Sequence, residues 1–339
     1  MLYQRTEAKA FARSHLRGVW AAAPTPFLQN LALDEAGLRR NLRHWIGALE
    51  VDGLFIAGKQ GEFFSMSVAE RKRCFEIAVE ESMAAEKGLG RRSRTILSCS
   101  DQNLDTVVDL ARHAQAIGAD FIVVHAPLLH FGKDVDATVY EYYRYVAEQV
   151  DIGIAMWSHP DSGYLMSPAL CARIASDLPN IVAIKYSVPR DMYVELTHLA
   201  GDSLIVSTAS EEEWLDNIIE LNWQVYLCSI PPLIYQTPTD RRIQQYTQLA
   251  MAGRHAEARA IRDSLQPIRD ALKRCRPPGT PQAYQKYWLE LLGQAGGPVR
   301  RPLLNLTEAE RATVYQAFAS SGLMPQPGAA EPALPLGVG

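Results

Sequence analysis

The sequence predicts one (β/α)8 barrel, the TIM-barrel fold, with a C-terminal helical extension. Eight short apolar runs alternate with helical patterns, which is typical of a parallel sheet. The alternation repeats roughly every 25 to 30 residues, and eight such units fit a closed barrel. A doubly wound sheet is the alternative, but it needs an early Gly-rich phosphate turn, and the first strand ends instead in Ala23–Pro26.

Each element has a local signal. The strand-like runs lie at 18–26, 53–57, 95–98, 121–126, 152–157, 181–187, 204–207 and 225–228. Helical patterns lie at 34–49, from 67 onward, and at 104–117, 136–150, 168–178, 211–221 and 239–251. Asp34 caps the first of these helices, and Ser67 with Glu70 forms a capping box.

The barrel is predicted to have flanking segments. Residues 1–17 read as a lead helix, 18–252 as the barrel and 253–323 as a helical region. This region contains helical patterns at 254–275, 282–292 and 307–321. The last stretch, 324–339, is rich in Pro, Gly and Ala, which predicts a disordered tail.

Composition narrows the class of protein. The 339 residues are 47% hydrophobic and 21% charged, and a net charge of −4 gives no general field for nucleic acid or a membrane surface. The N-terminus lacks an apolar signal-peptide core, and no apolar run could span a bilayer. Five scattered cysteines without a CxxC pair indicate reduced thiols in a cytoplasm. Eight histidines without metal-ligand spacing predict no metal, and no motif calls for a cofactor.

A lysine, Lys185, ends the sixth apolar run. Burying a lysine there is costly, so the residue needs either a partner or a task. Two interpretations stay open from this strand alone. Lys185 is either a structural lysine that reaches solvent or pairs with a carboxylate, or a nucleophile that forms a Schiff base with a carbonyl substrate.

Four short motifs in order give the chain a family resemblance. They are Thr25-Pro26-Phe27, the loop Gly58–Glu62, Ile184-Lys185 and Arg301-Pro302-Leu303. With these motifs the chain resembles, over about Leu16 to Leu323, the dihydrodipicolinate synthase / N-acetylneuraminate lyase family of class I aldolases. The resemblance implies that Lys185 makes the Schiff base, and it implies a homotetramer or homodimer.

The sequence departs from this family at several positions. Lys59 and Gln60 stand where two hydroxyl residues hold the keto acid and begin a proton relay. Trp157 aligns with the usual proton-donor tyrosine, and Leu128-Leu129 replaces the second relay tyrosine. An indole cannot shuttle protons near neutral pH. The segment Asp161-Ser162-Gly163 lacks the family's aldehyde-binding arginine, which argues against lysine-pathway synthesis.

Other polar residues near the strand ends are candidates to bind the substrate carboxylate or to carry protons in place of the missing family residues. Lys59 could bind the substrate carboxylate or favour the neutral amine of Lys185 by repulsion, or it could turn away and pair with Glu62 or another acid. Either His159 or His130 could replace the relay, whereas a structural role is expected for His125. We predict that Lys185 and His159 are catalytic, and that the substrate-binding residues are Lys59, Gln60, Trp157, Tyr226 and Ser207.

The leading hypothesis is a Schiff-base-forming lyase, an aldolase or dehydratase. It would act through Lys185 on a 2-keto acid such as pyruvate or a 2-keto-3-deoxy acid. The alternative is a non-catalytic ligand-binding or regulatory member that has lost the tyrosine relay. A metal-dependent aldolase is a third option, but its ligand set is not evident in the sequence.

Overall fold

Eight parallel strands form a nearly closed barrel. The computed structural model describes residues 2–128, 134–275 and 281–323, so the predicted tail and the positions of Leu129 and His130 lie outside the described residues. The strands are β1 Gly18–Ala22, β2 Gly53–Ile56, β3 Arg94–Ser98, β4 Phe121–His125, β5 Gly153–Ser158, β6 Ile181–Tyr186, β7 Ile205–Ser207 and β8 Val225–Ser229. Each pairs in parallel with its neighbour from β1 to β7, and β8 returns to β1. This order confirms the predicted barrel.

A side chain joins the remaining seam, between β7 and β8. The Ser207 hydroxyl donates to the Val225 carbonyl oxygen at 2.8 Å and accepts the Leu227 N–H at 2.9 Å. Ser207 is fully buried. Its hydroxyl therefore takes the place of a backbone ladder where the two short strands meet.

Helices surround the barrel and continue beyond it. They are α1 Ala8–His15, α2 Glu35–Gly47, α3 Val68–Leu89, α4 Leu104–Ala116, α5 Val135–Gln149, α6 Pro168–Asp177, α7 Arg190–Ala200, α8 Glu211–Leu221, α9 Pro231–Ile234, α10 Arg242–Met251, α11 His255–Asp263, α12 Gln266–Arg274, α13 Pro281–Leu291 and α14 Glu308–Ala319. The predicted caps are present, since Asp34 and Ser67 accept backbone N–H groups at the starts of α2 and α3. Across the described ranges, no helix is long and apolar enough to cross a membrane.

One predicted helix was wrong. The single helix expected at 254–275 is divided into α11 and α12, because Pro267 stands in the first turn of α12, where it cannot continue the preceding helix. A helix was expected after every strand, but the sequence analysis gave no bounds for the helix after β6, which is α7. Pro189 caps α7, and the buried residues Tyr193 and Leu196 give it an apolar face.

The protein has one apolar core inside the barrel and another between the barrel and its helices. In the inner core, α1 closes the amino-terminal end of the barrel by packing Ala8 and Ala12 with Trp20. A Cβ on Gly53 would lie 2.2 Å from the Trp20 ring, so only glycine fits beside this indole. The filled interior leaves the carboxyl ends of the strands as the place where polar side chains can gather.

Candidate active site

Lys185 lies inside the barrel near its carboxyl end. It occupies the fifth position of β6, in register with Trp157 on β5 and Ser207 on β7. Only 3% of the residue is exposed. Its Nζ lies 4.9 Å from the ring centroid of Phe55 and 5.0 Å from that of Trp157. The amine is therefore held between two aromatic rings at the place where a barrel enzyme binds its substrate.

Trp157 connects Lys185 to neighbouring rings. Its indole meets Phe55 edge-on, with centroids 5.7 Å apart, and His125 edge-on at 4.6 Å. The Trp157 Nε1–H is buried and has no hydrogen-bond partner among the described residues. The Gln60 side-chain oxygen, on the loop after β2, is likewise buried without a partner in the described ranges. Both predicted substrate-binding residues thus carry an unsatisfied polar atom that a ligand could pair.

Lys59 forms an ion pair with Asp161 across the barrel mouth. The two residues come from the loops after β2 and β5, and both are partly exposed. The Lys59 backbone carbonyl accepts a hydrogen bond from Gln282 of α13 at 3.1 Å. Of the two interpretations left open by the sequence, the structure has Lys59 paired with an acid. This acid is Asp161 and not Glu62, and the pair remains at the mouth.

His159 follows β5, two residues beyond Trp157. Its Nδ1 accepts the backbone N–H of Asp161 at 3.1 Å and lies 3.3 Å from the Asp161 Oδ1. Burial is the main cause that lowers the pKa of His159; Asp161 opposes this effect, whereas Lys59 and Lys185 add to it. His159 is therefore neutral at pH 7, and the charge of Lys185 influences its pKa.

His125, for which we expected a structural role, lies beside His159. Its ring centroid lies 6.5 Å from that of His159. Burial lowers the pKa of His125 to about 4, although a hydrogen bond to the Ala126 backbone opposes this effect. His125 also lines a cavity of about 350 Å³ beside the mouth. The other lining residues are Phe63, Phe64, Met66, Ser100, Asp101, Gln102, Ala126 and Leu128.

Two predicted binding residues have their side chains elsewhere. The Ser207 hydroxyl is fully used in the β7–β8 seam, so the structure gives it a role in barrel closure in place of the predicted substrate contact. The Tyr226 ring stacks on Trp214 of α8 at 5.9 Å, and its hydroxyl donates to the Ala209 carbonyl oxygen at 3.2 Å. The Tyr226 side chain therefore packs against α8, outside the barrel.

A buried ion pair that sequence reasoning missed holds the loop that carries Lys59 and Gln60. Glu62 adopts a left-handed backbone conformation, with φ 58°, and its Oε1 lies 2.6 Å from the Lys286 Nζ. Both side chains are fully buried. The Glu62 Oε2 also accepts the Arg300 N–H at 2.9 Å. Glu62 thus braces the loop against the C-terminal helical region.

Cysteines and metal ligands offer no competing site in the described part of the chain. Cys74, Cys99 and Cys171 are free thiols, and they and Cys275 are buried. Burial raises the pKa of Cys74 and of Cys99 to about 12, which disfavours a reactive thiolate. No group of three or more His, Cys, Asp or Glu side chains among the described residues could hold a metal ion.

Known proteins share this fold and sequence pattern. The model of the dihydrodipicolinate synthetase family matches residues 15–320. A 4-hydroxy-tetrahydrodipicolinate synthase from Afipia carboxidovorans is 25% identical over 92% of this chain and 99% of its own. A probable 5-dehydro-4-deoxyglucarate dehydratase from Corynebacterium glutamicum is 26% identical over 91% of this chain and 93% of its own.

A solved structure shows the same fold at low identity. It is a prophage protein of the dihydrodipicolinic acid synthase family from E. coli K12, in complex with pyruvate. It is 22% identical, covers 90% of this chain and 99% of its own, and superposes with a TM-score of 0.76. Together with the family match over nearly the whole length, the barrel with its buried strand-six lysine shows that this chain belongs to the dihydrodipicolinate synthetase family.

Proposed function

We propose that the protein is a Schiff-base-forming lyase that acts on a 2-keto acid through Lys185. The observation that carries this proposal is the position of the amine. The Lys185 Nζ lies inside the carboxyl end of the barrel, between the rings of Phe55 and Trp157. A pocket of this kind excludes water from an imine and leaves the amine within reach of a small carbonyl compound.

The proposed reaction forms an iminium ion on Lys185 and then cleaves or dehydrates the bound keto acid. The Lys185 amine adds to the keto carbon, and water leaves to give an iminium ion. In an aldol cleavage, a base removes the proton of the C4 hydroxyl, and the C3–C4 bond breaks. The electrons of that bond form the enamine and neutralise the iminium nitrogen. C3 then takes up a proton, and water releases the keto acid from Lys185. In a dehydration, C3 loses its proton and the C4 hydroxyl leaves as water.

Polar atoms around Lys185 suit a keto acid. Lys59 supplies a cation at the mouth, Trp157 a buried N–H donor and Gln60 a buried oxygen acceptor, the last two without a partner among the described residues. We assign the substrate carboxylate to Lys59 and the side-chain amide N–H of Gln60, a substrate hydroxyl to the Gln60 oxygen, and a substrate oxygen to the Trp157 Nε1–H. His159, near the amine and neutral at pH 7, is the proton carrier. The E. coli family protein solved with pyruvate supports pyruvate as the first compound to test.

The test is intact-protein mass spectrometry after borohydride reduction with pyruvate, 2-ketobutyrate and several 2-keto-3-deoxy acids. Wild type should gain the mass of the bound keto acid less one oxygen atom. Lys185→Ala should gain nothing, and Lys72→Ala should match wild type because Lys72 pairs with Asp109 on the surface. Product analysis of the compounds that trap then separates cleavage from dehydration. An adduct of equal yield in Lys185→Ala would refute the proposal.

A second candidate is a non-catalytic binding member of the family. Lys185 is only 3% exposed, and Trp157 stands where the family's proton-donor tyrosine is expected, which favours this reading. The two candidates differ in turnover. A lyase releases product from a trapped keto acid that carries a C4 hydroxyl, such as a 2-keto-3-deoxy acid, whereas a binding protein shows saturable binding in calorimetry without product and without a borohydride adduct.

We further propose a cytoplasmic homodimer or homotetramer. Cys74, Cys99 and Cys171 are free thiols, which fits a reducing compartment. The family resemblance supports the oligomer. Sedimentation velocity at micromolar concentration tests this proposal, because a single species of monomer mass would contradict it.

A further inference from the structure

Asp161 contacts two of the residues assigned to the proposed reaction. Its Oδ2 pairs with the Lys59 Nζ, and its Oδ1 lies 3.3 Å from the His159 Nδ1. One carboxylate therefore connects the cation assigned to the substrate carboxylate with the imidazole assigned to proton transfer. Sequence reasoning noted Asp161 only as part of a segment that lacks an arginine.

The hydrogen bonds of His159 determine which nitrogen can act. A backbone N–H can only donate, so the Nδ1 that accepts the Asp161 N–H carries no proton. In the neutral ring, the proton is then on Nε2, which can donate but cannot take a proton. For Nε2 to act as a base, the proton must move to Nδ1, and the group placed to accept an Nδ1–H is the Asp161 Oδ1.

We propose, on the basis of the proposed function, that Asp161 is a positioning residue that couples substrate binding to proton transfer. When Lys59 leaves Asp161 for the substrate carboxylate, His159, whose side chain is 25% exposed, gives its Nε2 proton to solvent water and takes one from solvent water at Nδ1. The released Asp161 carboxylate then accepts this Nδ1–H in place of the Asp161 backbone donor. The His159 Nε2 is then a base that serves the Lys185 adduct. The free protein holds His159 in the other tautomer, so the base is formed only with substrate present.

The proton that His159 takes from the substrate is returned within one cycle of cleavage. The His159 Nε2 takes the proton of the substrate C4 hydroxyl, and the C3–C4 bond electrons move to the Lys185 iminium to give the enamine. The resulting imidazolium is stabilised by Asp161. It then returns the proton to C3, and water hydrolyses the imine. His159 ends neutral, and Lys59 recovers Asp161 when the keto acid leaves.

In the part of the chain that the structure describes, the charged and titratable groups around His159 come from four strand ends. Asp161 lies on the same loop, Lys59 after β2, His125 on β4 and Lys185 on β6. Burial raises the pKa of Asp161, but the Lys59 hydrogen bond and the charges of His159 and Lys59 outweigh burial and leave it lowered. Asp161 is therefore ionised at neutral pH and available to His159 once Lys59 leaves.

The coupling can be measured without substrate by NMR titration of histidines labelled with ¹⁵N. Lys59→Met mimics the departure of Lys59 from Asp161. It should raise the pKa of His159 by about 1 unit, the low end of the effect of a nearby opposite charge. The same substitution in an Asp161→Asn background should produce a much smaller rise. Equal rises in the two backgrounds would mean that Lys59 acts on His159 directly, and the proposal would be wrong.

A matched set of variants tests the role in turnover. Asp161→Asn should lower kcat by roughly 100-fold, within the contribution of general acid–base catalysis, while borohydride trapping at Lys185 persists. Asp161→Glu should restore part of the activity. Asp177→Asn, which removes an acid on α6 paired with the Tyr140 hydroxyl, should match wild type. Full activity in Asp161→Asn would overturn the proposal.

Failure of this proposal is distinguishable from failure of the proposed function. If no keto acid traps at Lys185, the lyase assignment fails, yet the substrate-free titration still measures the coupling of Lys59, Asp161 and His159. If trapping succeeds and the two titrations of Lys59→Met agree, the lyase stands and Asp161 has no coupling role.

Discussion

The buried pair Glu62–Lys286 gives the sharpest test of what holds the mouth loop in place. Lys286→Met removes an amine that is fully buried and lies 2.6 Å from the Glu62 Oε1. The same amine donates to the Pro298 carbonyl oxygen at 2.8 Å. Burial lowers the pKa of Lys286 to about 8, with Glu62 opposing, so the pair is intact at pH 7. After the substitution, the Glu62 carboxylate remains buried with the Arg300 N–H as its remaining described donor.

The magnitude follows from leaving one charge uncompensated. Breaking a buried pair by removing one partner costs about 3–5 kcal/mol of unfolding free energy. This is a large share of the roughly 5–15 kcal/mol that stabilises a typical protein. Glu62→Gln should cost a similar amount. The double variant Glu62→Gln/Lys286→Met should recover most of the loss, because no charge is left buried.

Urea unfolding at pH 7, followed by tryptophan fluorescence, measures these differences. The control is Lys72→Met, which breaks a partly exposed surface pair with Asp109 and should cost less than about 1 kcal/mol. The reasoning fails if Lys286→Met shifts the midpoint no further than Lys72→Met. It also fails if the double variant is as unstable as the sum of the two single variants.

Three further predictions concern the barrel mouth. The pKa of His125 is lowered from 6.5 to about 4, so between pH 6.5 and 4 the unfolded chain binds a proton that the folded chain excludes. The free energy of unfolding should therefore fall by about 1–3 kcal/mol from pH 6.5 to 4. A His125→Gln variant that keeps the full decline in urea midpoint would contradict this. Ser207→Ala leaves the Leu227 N–H without its acceptor and should cost about 1–3 kcal/mol in the same assay, while the keto-acid adduct forms as in wild type. Trp157→Phe keeps a ring beside the Lys185 amine but removes the indole N–H. Half-saturation of borohydride trapping should therefore need about tenfold more pyruvate. An unchanged half-saturation would show that the N–H does not bind substrate.

Much of the fold could be predicted because its determinants are local. The strand runs, the Asp34 cap and the Ser67 capping box are each written within a few residues, and all are present. The division of 254–275 also had a local signal, Pro267, that the sequence analysis did not use. Helix α7 had another, in the Pro189 cap and the spacing of its apolar residues.

The partners within the site could not be predicted in the same way. Strand ends showed that Lys59, Trp157, His159 and Lys185 would gather at one mouth, because parallel strands end on the same side. Lys59 meets Asp161 across 102 positions of sequence, and Glu62 meets Lys286 across 224. Such pairings depend on closure of the barrel and on the packing of α13, which no local pattern encodes.

The seam role of Ser207 has the same origin. Its hydroxyl was assigned to substrate because Ser207 stands at the end of the seventh strand, where side chains reach the barrel mouth. The short β7 leaves Val225 and Leu227 of β8 without a complete backbone ladder, and the serine hydroxyl fills that need. This contact between Ser207 and β8 appears only when the two strands lie side by side in the folded barrel.

The most direct measurement is to locate the trapped keto acid on the chain. Wild-type protein reduced with borohydride in the presence of pyruvate would be digested, and the modified lysine would be identified by tandem mass spectrometry. The lysines at and near the mouth, Lys59, Lys185 and Lys286, lie on different proteolytic peptides and are distinguished in one experiment. We predict that the adduct lies on Lys185 alone. An adduct on Lys59 or Lys286 with Lys185 unmodified would contradict the assignment of the nucleophile on which the account depends.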